Sequence, residues 1–128
     1  MKNQFVGAAV EAMVQSRLMA HGINTATPLL DNGYDMLSEF EGNINRLQIR
    51  TTSCKQPTSS KKNFHYRLHT NRNRRMFSVF IAYVLPEDAL YIIPEVELKN
   101  IFKITIPVGK PCKYDKYKDA YEILEKAH

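Results

Sequence analysis

The sequence contains few cysteines, no long apolar run and no repeated or low-complexity segment, and each absence excludes a class of protein. Its two cysteines, Cys54 and Cys112, lack the spacing of a metal site or of a disulfide framework. No apolar segment is long enough to span a membrane. Glu11 and Gln15 interrupt the apolar N-terminal stretch before a signal-peptide core could form. We therefore expect a reduced, cytoplasmic protein without a membrane anchor.

Acidic residues are also absent from one long stretch, which extends from Arg46 to Arg75 and is rich in lysine and arginine. The whole chain carries a net charge of +5, which alone is a weak signal. A long basic stretch without acids is a stronger one, because ordinary solvated surfaces mix charges of both signs. It favours a polyanionic partner, and we take DNA as that partner. The candidate DNA-binding residues are Arg46, Lys55, Lys61, Lys62, Arg67, Arg72, Arg74 and Arg75.

The length and the pattern of apolar residues predict one α+β domain over residues 1–128. We expect a mixed sheet of about five to seven strands, flanked by an N-terminal and a C-terminal helix. The first helix is predicted over Phe5–Ala20 and is closed by His21-Gly22, where the glycine suits a left-handed cap. The last helix is predicted to begin with Asp115 as its capping residue. An exposed loop is predicted over Ser53–Lys62. The predicted strands are Ile23–Leu29, Tyr34–Phe40, Asn45–Thr52, Phe64–Leu68, Met76–Leu85, Leu90–Ile93 and Phe102–Val108.

The second and third predicted strands form a hairpin around which the candidate site is arranged. A turn centred on Glu41-Gly42 places Asp35 directly across from Gln48, and residues that face each other share a sheet face. A carboxylate, an amide oxygen and the guanidinium of Arg50 would then lie side by side. A register shifted by one residue would send Gln48 and Arg50 to the opposite face.

Glu11 interrupts an otherwise apolar stripe on the first helix, formed with Gly7, Val14 and Leu18. A carboxylate on a core-facing stripe costs free energy unless it is paired or binds a cation. Two interpretations remain open from the pattern alone. Glu11 either contributes to a functional site or lies at the edge of the stripe and reaches solvent.

The acids Glu11 and Asp35, the amide oxygen of Gln48 and the backbone carbonyl of Ile49 form a plausible ligand set for Mg²⁺, which prefers a few oxygen ligands. A bound Mg²⁺ polarises a phosphodiester and acidifies an attacking water, and Arg50 would stabilise the charge that develops on the phosphate. The structural alternative is a surface hairpin in which Arg50 pairs with Glu39 or Asp35, at a gain of under about 1 kcal/mol.

An acid-bearing helix, then a Tyr-Asp pair on one strand and Gln-x-Arg on the next, resembles the signature of the PD-(D/E)XK nuclease superfamily. The likeness is closest to its group I intron-associated homing endonuclease branch, where glutamine commonly replaces the third-strand acid. It extends over about residues 5–107. The residues that carry it are Gly7, Glu11, Gly22, Pro28, Tyr34-Asp35, Leu47-Gln48-Ile49-Arg50-Thr51 and Tyr91-Ile92-Ile93-Pro94.

The resemblance implies a restriction-endonuclease-like fold and DNA cleavage that depends on Mg²⁺, or on Mn²⁺ in its place. It implies that Glu11, Asp35 and Gln48 lie near the metal, and that Arg50 stands where the family carries lysine. It also leads us to look for an acid at the start of the Met76–Leu85 strand, where none is found. Two hypotheses follow, an endonuclease or a degenerate module that binds DNA or protein without cleavage. Because the domain is small, a long DNA target would require a homo-oligomer, either a dimer or a tetramer.

Overall fold

The computed structural model describes residues 3–30, 32–71, 73 and 76–128. These residues contain one α-helix, eight strands and several short 3₁₀ turns. The elements are α1 (Asn3–Ala20), β1 (Asn24–Ala26), β2 (Met36–Phe40), β3 (Asn43–Thr52), β4 (Gln56–Pro57), β5 (Phe64–His69), β6 (Val79–Val84), β7 (Ala89–Pro94) and β8 (Lys103–Pro107). As expected, the class is α+β.

The main sheet has five strands in the order β1-β2-β3-β6-β7. Its β3–β6 pair is parallel and its other pairs are antiparallel, so the sheet is mixed. Every residue of β6 and β7 is buried. Ile81 and Ile92 belong to one apolar cluster, whereas Phe80 and Ile93 belong to a second one. The continuous apolar sequence of these strands is therefore explained by a sheet that is covered on both faces.

Helix α1 covers one face of the main sheet, through the buried side chains of Val10, Val14 and Leu18. A second sheet, in the order β4-β5-β8, covers the other face with residues such as Leu68 and Ile104. The result is a three-layer arrangement in which each apolar face is buried against another element. Among the described residues, no helix is long and apolar enough to cross a membrane.

The β2–β3 hairpin has the predicted turn and the predicted register. Met36 pairs with Leu47 and Phe40 pairs with Asn43, so the turn is centred on Glu41-Gly42. Both turn residues have positive φ, 50° at Glu41 and 87° at Gly42. A two-residue turn of this kind matches the twist of the paired strands, which fixes the register.

The predicted C-terminal helix is wrong, although its apolar stripe is buried. The chain instead forms two 3₁₀ turns, Asp115–Tyr117 and Tyr121–Glu125. Between these two turns the backbone pairs with β7 of the main sheet. Lys118 forms a β-bridge with Tyr91, and the Asp119 N–H donates to the Leu90 carbonyl over 2.8 Å. Asp119 also has a φ of 54°, which a continuous α-helix excludes.

Three further elements differ from the sequence prediction. The first strand is limited to Asn24–Ala26, and Leu29 lies outside it with a fully exposed side chain. The predicted loop over 53–62 is exposed as expected, but it contains β4, which pairs with the start of β5. The long apolar strand over 76–85, whose composition predicts the central strand of the sheet, begins at Val79 and lies beside the middle strand, which is β3.

Candidate metal and nucleic-acid site

A cavity of about 280 Å³ opens where α1 passes the ends of β2 and β3. Helix α1 contributes a carboxylate to it, the segment just before β2 contributes a second one, and β3 contributes a guanidinium and a hydroxyl. Its lining residues are Gly7, Val10, Glu11, Asp35, Ile49, Arg50 and Thr51. The cavity therefore brings together three of the four predicted catalytic side chains, Glu11, Asp35 and Arg50.

Asp35 is held by the backbone of β3 at the point where pairing with β2 begins. Its N–H donates to the Leu47 carbonyl over 2.8 Å, and its Oδ2 accepts a hydrogen bond from the Ile49 N–H over 2.7 Å. The pairing of β3 with β2 ends at Leu47, so the Ile49 N–H has no carbonyl of β2 to bond to. The Asp35 carboxylate accepts that hydrogen bond instead. These two bonds fix the position of the Asp35 carboxylate within the cavity.

Arg50 contacts two oxygens of the predicted metal-ligand set with a single nitrogen. Its Nη1 lies 3.2 Å from Asp35 Oδ2 and donates to the Ile49 carbonyl over 2.9 Å. The pair is half-exposed, with 42% of the Arg50 side chain and 32% of the Asp35 side chain accessible. Its gain in stability is therefore small, under about 1 kcal/mol. Of the two partners that the structural alternative gives to Arg50, Glu39 and Asp35, the structure has Asp35.

Glu11 lies half-buried on α1, beside the stripe formed by Val10, Val14 and Leu18. Burial raises the pKa of the Glu11 carboxyl, the nearby Asp35 carboxylate raises it further, and Arg50 partly opposes both. The carboxylates and the single guanidinium thus leave an excess of negative charge at the cavity. A bound cation would relieve the unfavourable ionisation of Glu11.

Gln48 does not line this cavity. Leu47 and Ile49 pack in the cluster beneath α1, so strand alternation turns Gln48 toward the second sheet. There its side chain is 1% exposed and its Oε1 accepts a hydrogen bond from the Asn71 N–H over 2.8 Å. An amide oxygen has two lone pairs, so one hydrogen bond leaves Gln48 the capacity for another partner.

Thr51 is a cavity residue to which the sequence pattern assigned no role of its own. Its Oγ1 is buried and has no hydrogen-bond partner among the described residues. It is one of four such atoms in the described part of the chain, the others being in Thr25, Ser38 and Thr70, and it is the one that belongs to a residue lining this cavity. The sequence carries no signal for this feature, because an unpaired hydroxyl is a property of the packed structure.

The predicted DNA-binding residues lie mostly on exposed surface. Arg46, Lys55, Lys61 and Lys62 are exposed, and Arg67 is half-buried. The Lys55 ammonium lies 4.6 Å from the centre of the Phe64 ring, and Arg67 Nε donates to His65 Nε2 over 2.8 Å. These contacts order two of the cations at β5. The remaining candidates, Arg72, Arg74 and Arg75, lie outside the described residues.

The cavity is lined by two acids, Glu11 and Asp35, and this limits the kind of metal site that it could form. Over residues 3–30, 32–71, 73 and 76–128, no group of three or more His, Cys, Asp or Glu is placed to hold a metal ion. The predicted ligands that the structure places at the cavity are two carboxylates and the Ile49 backbone carbonyl. Such a set suits Mg²⁺, which keeps several of its waters, better than it suits zinc.

Comparison with known proteins identifies the family. The sequence profile described as PD-(D/E)XK endonuclease matches residues 1–103. A search of curated proteins gives no match. Among solved structures, the bacterial homing endonuclease I-Ssp6803I is similar, with a TM-score of 0.75 and 18% sequence identity over 97% of this chain and 91% of that one. At this identity the likeness shows the fold, and the profile match shows the family. The chain belongs to the PD-(D/E)XK endonuclease family.

Proposed function

We propose that this chain is a Mg²⁺-dependent DNA endonuclease that hydrolyses phosphodiester bonds, with residues 1–128 acting as one nuclease domain and Mn²⁺ as an alternative ion. One observation carries the proposal. Two oxygens of the predicted ligand set, Asp35 Oδ2 and the Ile49 carbonyl, converge on a single cationic nitrogen of Arg50. The family assignment supports the same chemistry.

The residues present fit a hard divalent cation. The Arg50 nitrogen supports this fit, because Asp35 Oδ2 and the Ile49 carbonyl both lie within hydrogen-bond distance of its positive charge. Glu11 adds a second carboxylate at the same cavity, and the unpaired Thr51 hydroxyl adds a polar atom. We propose Asp35, Ile49 and Glu11 as the residues that hold the ion. Gln48, which the sequence pattern grouped with them, is not placed among them, because its side chain lies on the opposite face of β3 and is bonded to Asn71.

The proposed division of labour follows from the charge of each group. When bound, Mg²⁺ supplies a Lewis acid that polarises the phosphodiester and lowers the pKa of a water. Arg50 then stabilises the negative charge that develops on the phosphate, which its planar guanidinium can bind through two hydrogen bonds. Arg50 cannot accept a proton at any workable pH, so it does not replace the family lysine in activating water. Arg46, Lys55, Lys61, Lys62, Arg67, Arg72, Arg74 and Arg75 are the proposed contacts to the DNA backbone.

The proposal is tested by incubating supercoiled plasmid with the purified wild-type chain. We expect nicked and linear products with Mg²⁺ or Mn²⁺ and none with EDTA. Retained DNA binding without any nicking in either metal would instead support the second candidate function. That candidate is a degenerate module that binds DNA or a protein partner without cleavage.

The degenerate module is favoured by one specific observation. The Arg50 guanidinium is paired with the Asp35 carboxylate, which is a proposed metal ligand, and Arg50 stands where the resemblance implies a lysine. A site held closed by this pair would keep the fold and the basic surface while losing the reaction. The joint presence of Glu11 and Asp35 at one cavity favours the enzyme.

Mg²⁺ is expected to raise the melting temperature of the wild-type chain, because an ion that binds only the native state stabilises it. At ten times the dissociation constant, the gain is about 1.4 kcal/mol, which corresponds to about 5 °C for a domain of this size. Differential scanning fluorimetry with and without Mg²⁺ measures the shift. The Asp35→Asn variant should give no shift, and an equal shift in both proteins would show that the ion binds elsewhere.

Arg50→Lys is expected to increase cleavage about tenfold or more, because a lysine can lose its proton in a suitable environment and so take part in activating water. The measurement is the rate of plasmid nicking at a fixed Mg²⁺ concentration. Arg17→Lys makes the same exchange outside the cavity and outside the proposed DNA contacts, at a residue paired with Asp88, and serves as the matched control. A cleavage rate in Arg50→Lys no higher than that of wild type would contradict the assigned role of position 50.

We also propose that the chain acts as a homo-oligomer, either a dimer or a tetramer, since one small domain covers little DNA. Sedimentation velocity of the chain, alone and with DNA, measures the stoichiometry. A monomer that cuts at full rate would contradict this part of the proposal.

A further inference from the structure

We propose that Arg50 is a removable internal cation: its guanidinium occupies the metal position in the free protein and must leave before a divalent cation can bind. The inference rests on the proposed function, since it concerns the same cavity. It goes further by assigning Arg50 two alternative sets of partners. One set is Asp35 and Ile49, and the other is the phosphate of the bound DNA.

The evidence is the shared use of the same oxygen atoms. Asp35 Oδ2 accepts hydrogen bonds from the Ile49 N–H over 2.7 Å and from Arg50 Nη1 at 3.2 Å. Two hydrogen bonds use both lone pairs of that oxygen. The Ile49 carbonyl accepts from the same Arg50 nitrogen over 2.9 Å. A metal ion that takes these two oxygens therefore competes directly with the guanidinium.

The exposure of the pair makes the exchange feasible. With 42% of its side chain accessible, Arg50 can turn toward solvent without opening the core. A half-exposed ion pair is also weak, so its loss costs little. A divalent cation attracts the carboxylates of Asp35 and Glu11 more strongly than a guanidinium does, because the Coulomb energy scales with charge. The Arg50 guanidinium is therefore weakly held at a position where a divalent cation would be held more strongly.

Arg50 then imposes a specific cost on metal binding. Its pair with Asp35 must be broken, and the freed guanidinium repels the ion if it stays in the cavity. Together these effects should weaken the apparent affinity for Mg²⁺ about tenfold. A phosphate that accepts the released guanidinium would remove part of this cost. Metal and DNA would therefore bind more tightly together than either does alone.

The test measures Mg²⁺ affinity in the absence of DNA, so no cleavage is involved. Isothermal titration calorimetry compares wild type with Arg50→Gln, which removes the charge and keeps a side chain of similar length. We expect Arg50→Gln to bind Mg²⁺ about tenfold more tightly. Lys110→Gln is the matched control, because it makes the same change in net charge at an exposed turn residue. Its affinity should equal that of wild type.

A second measurement follows the guanidinium itself in the wild-type chain and does not depend on any variant folding. The Arg50 Nε–H signal in a ¹⁵N spectrum is expected to shift on Mg²⁺ addition, with the same midpoint as the calorimetric titration. Equal affinity of wild type and Arg50→Gln, or an Arg50 signal that stays unchanged while Mg²⁺ binds, would overturn the inference and leave the proposed metal site standing. No Mg²⁺ binding to either protein would overturn the metal site as well.

Discussion

Asp35→Asn is expected to lower the rate of plasmid nicking by about 10³-fold, the larger end of the effect of removing one electrostatic group from an active site. The substitution removes the negative charge that Mg²⁺ requires. The side-chain oxygen of asparagine can still accept the hydrogen bond from the Ile49 N–H, which anchors Asp35 at 2.7 Å in the native chain. The fold should therefore survive, and the loss should lie in metal binding.

The matched control for this variant is Glu41→Gln. It neutralises an exposed acid in the turn of the same hairpin, at the end distant from the cavity. Nicking by this control should equal that of wild type at the same Mg²⁺ concentration. If Asp35→Asn nicks plasmid at the wild-type rate, Asp35 is not a metal ligand and the active site lies elsewhere in the chain.

Affinity for DNA is expected to fall about 10³-fold or more when the monovalent salt rises from 50 to 200 mM. The reason is counterion release, which contributes a slope of about −0.9 for each phosphate contact in a plot of log affinity against log salt. Fluorescence anisotropy with labelled duplex DNA measures the slope. EDTA in the buffer keeps the DNA intact in this assay, because cleavage is expected to require a divalent metal.

Specific residues can be assigned to that slope. Replacing Lys61 and Lys62 together by Gln should make the slope of log affinity against log salt shallower by about 1.8, because each lost phosphate contact removes about 0.9. Lys110→Gln, outside the basic stretch, should leave the slope unchanged. An affinity that does not depend on salt, or no DNA binding at low salt, would contradict the proposal that this surface binds nucleic acid.

The hairpin was predictable because its sequence carries two independent signals. Alternation along Tyr34–Phe40 and Asn45–Thr52 indicates which residues share a face, and Gly42 suits the positive φ that a tight turn needs. Together they give the register that the structure has, with Met36 opposite Leu47. The all-apolar strands β6 and β7 were predictable for a similar reason, since only a sheet covered on both faces buries every residue.

The grouping of Asp35 with Gln48 was not predictable from alternation. Asp35 lies just outside the paired part of β2, where alternation no longer applies. Tyr34 packs against the cluster on the second-sheet side, whereas Met36 belongs to the cluster beneath α1. In a regular strand these two side chains would share a face. The change of direction at Asp35 turns its carboxylate toward Ile49 and Arg50, and leaves Gln48 bound to Asn71.

The C-terminal segment shows a different limit of sequence analysis. Ala120, Tyr121 and Leu124 are buried as a helical stripe would be. The backbone nevertheless pairs with β7 at Lys118 and Asp119, which divides the segment into two 3₁₀ turns. The helical spacing predicted burial correctly, but the competing partner is remote in sequence and leaves no local signal.

The central claim is that a divalent cation binds between Asp35 Oδ2 and the Ile49 carbonyl, at the position that the Arg50 guanidinium holds in the free chain. The most direct measurement is an anomalous difference map from a crystal of the wild-type chain grown with Mn²⁺ and a DNA duplex. We predict one anomalous peak within about 2.5 Å of both oxygens, with the Arg50 side chain turned away toward a phosphate. A peak outside this cavity, or no peak while Arg50 stays on Asp35 and Ile49, would contradict the claim.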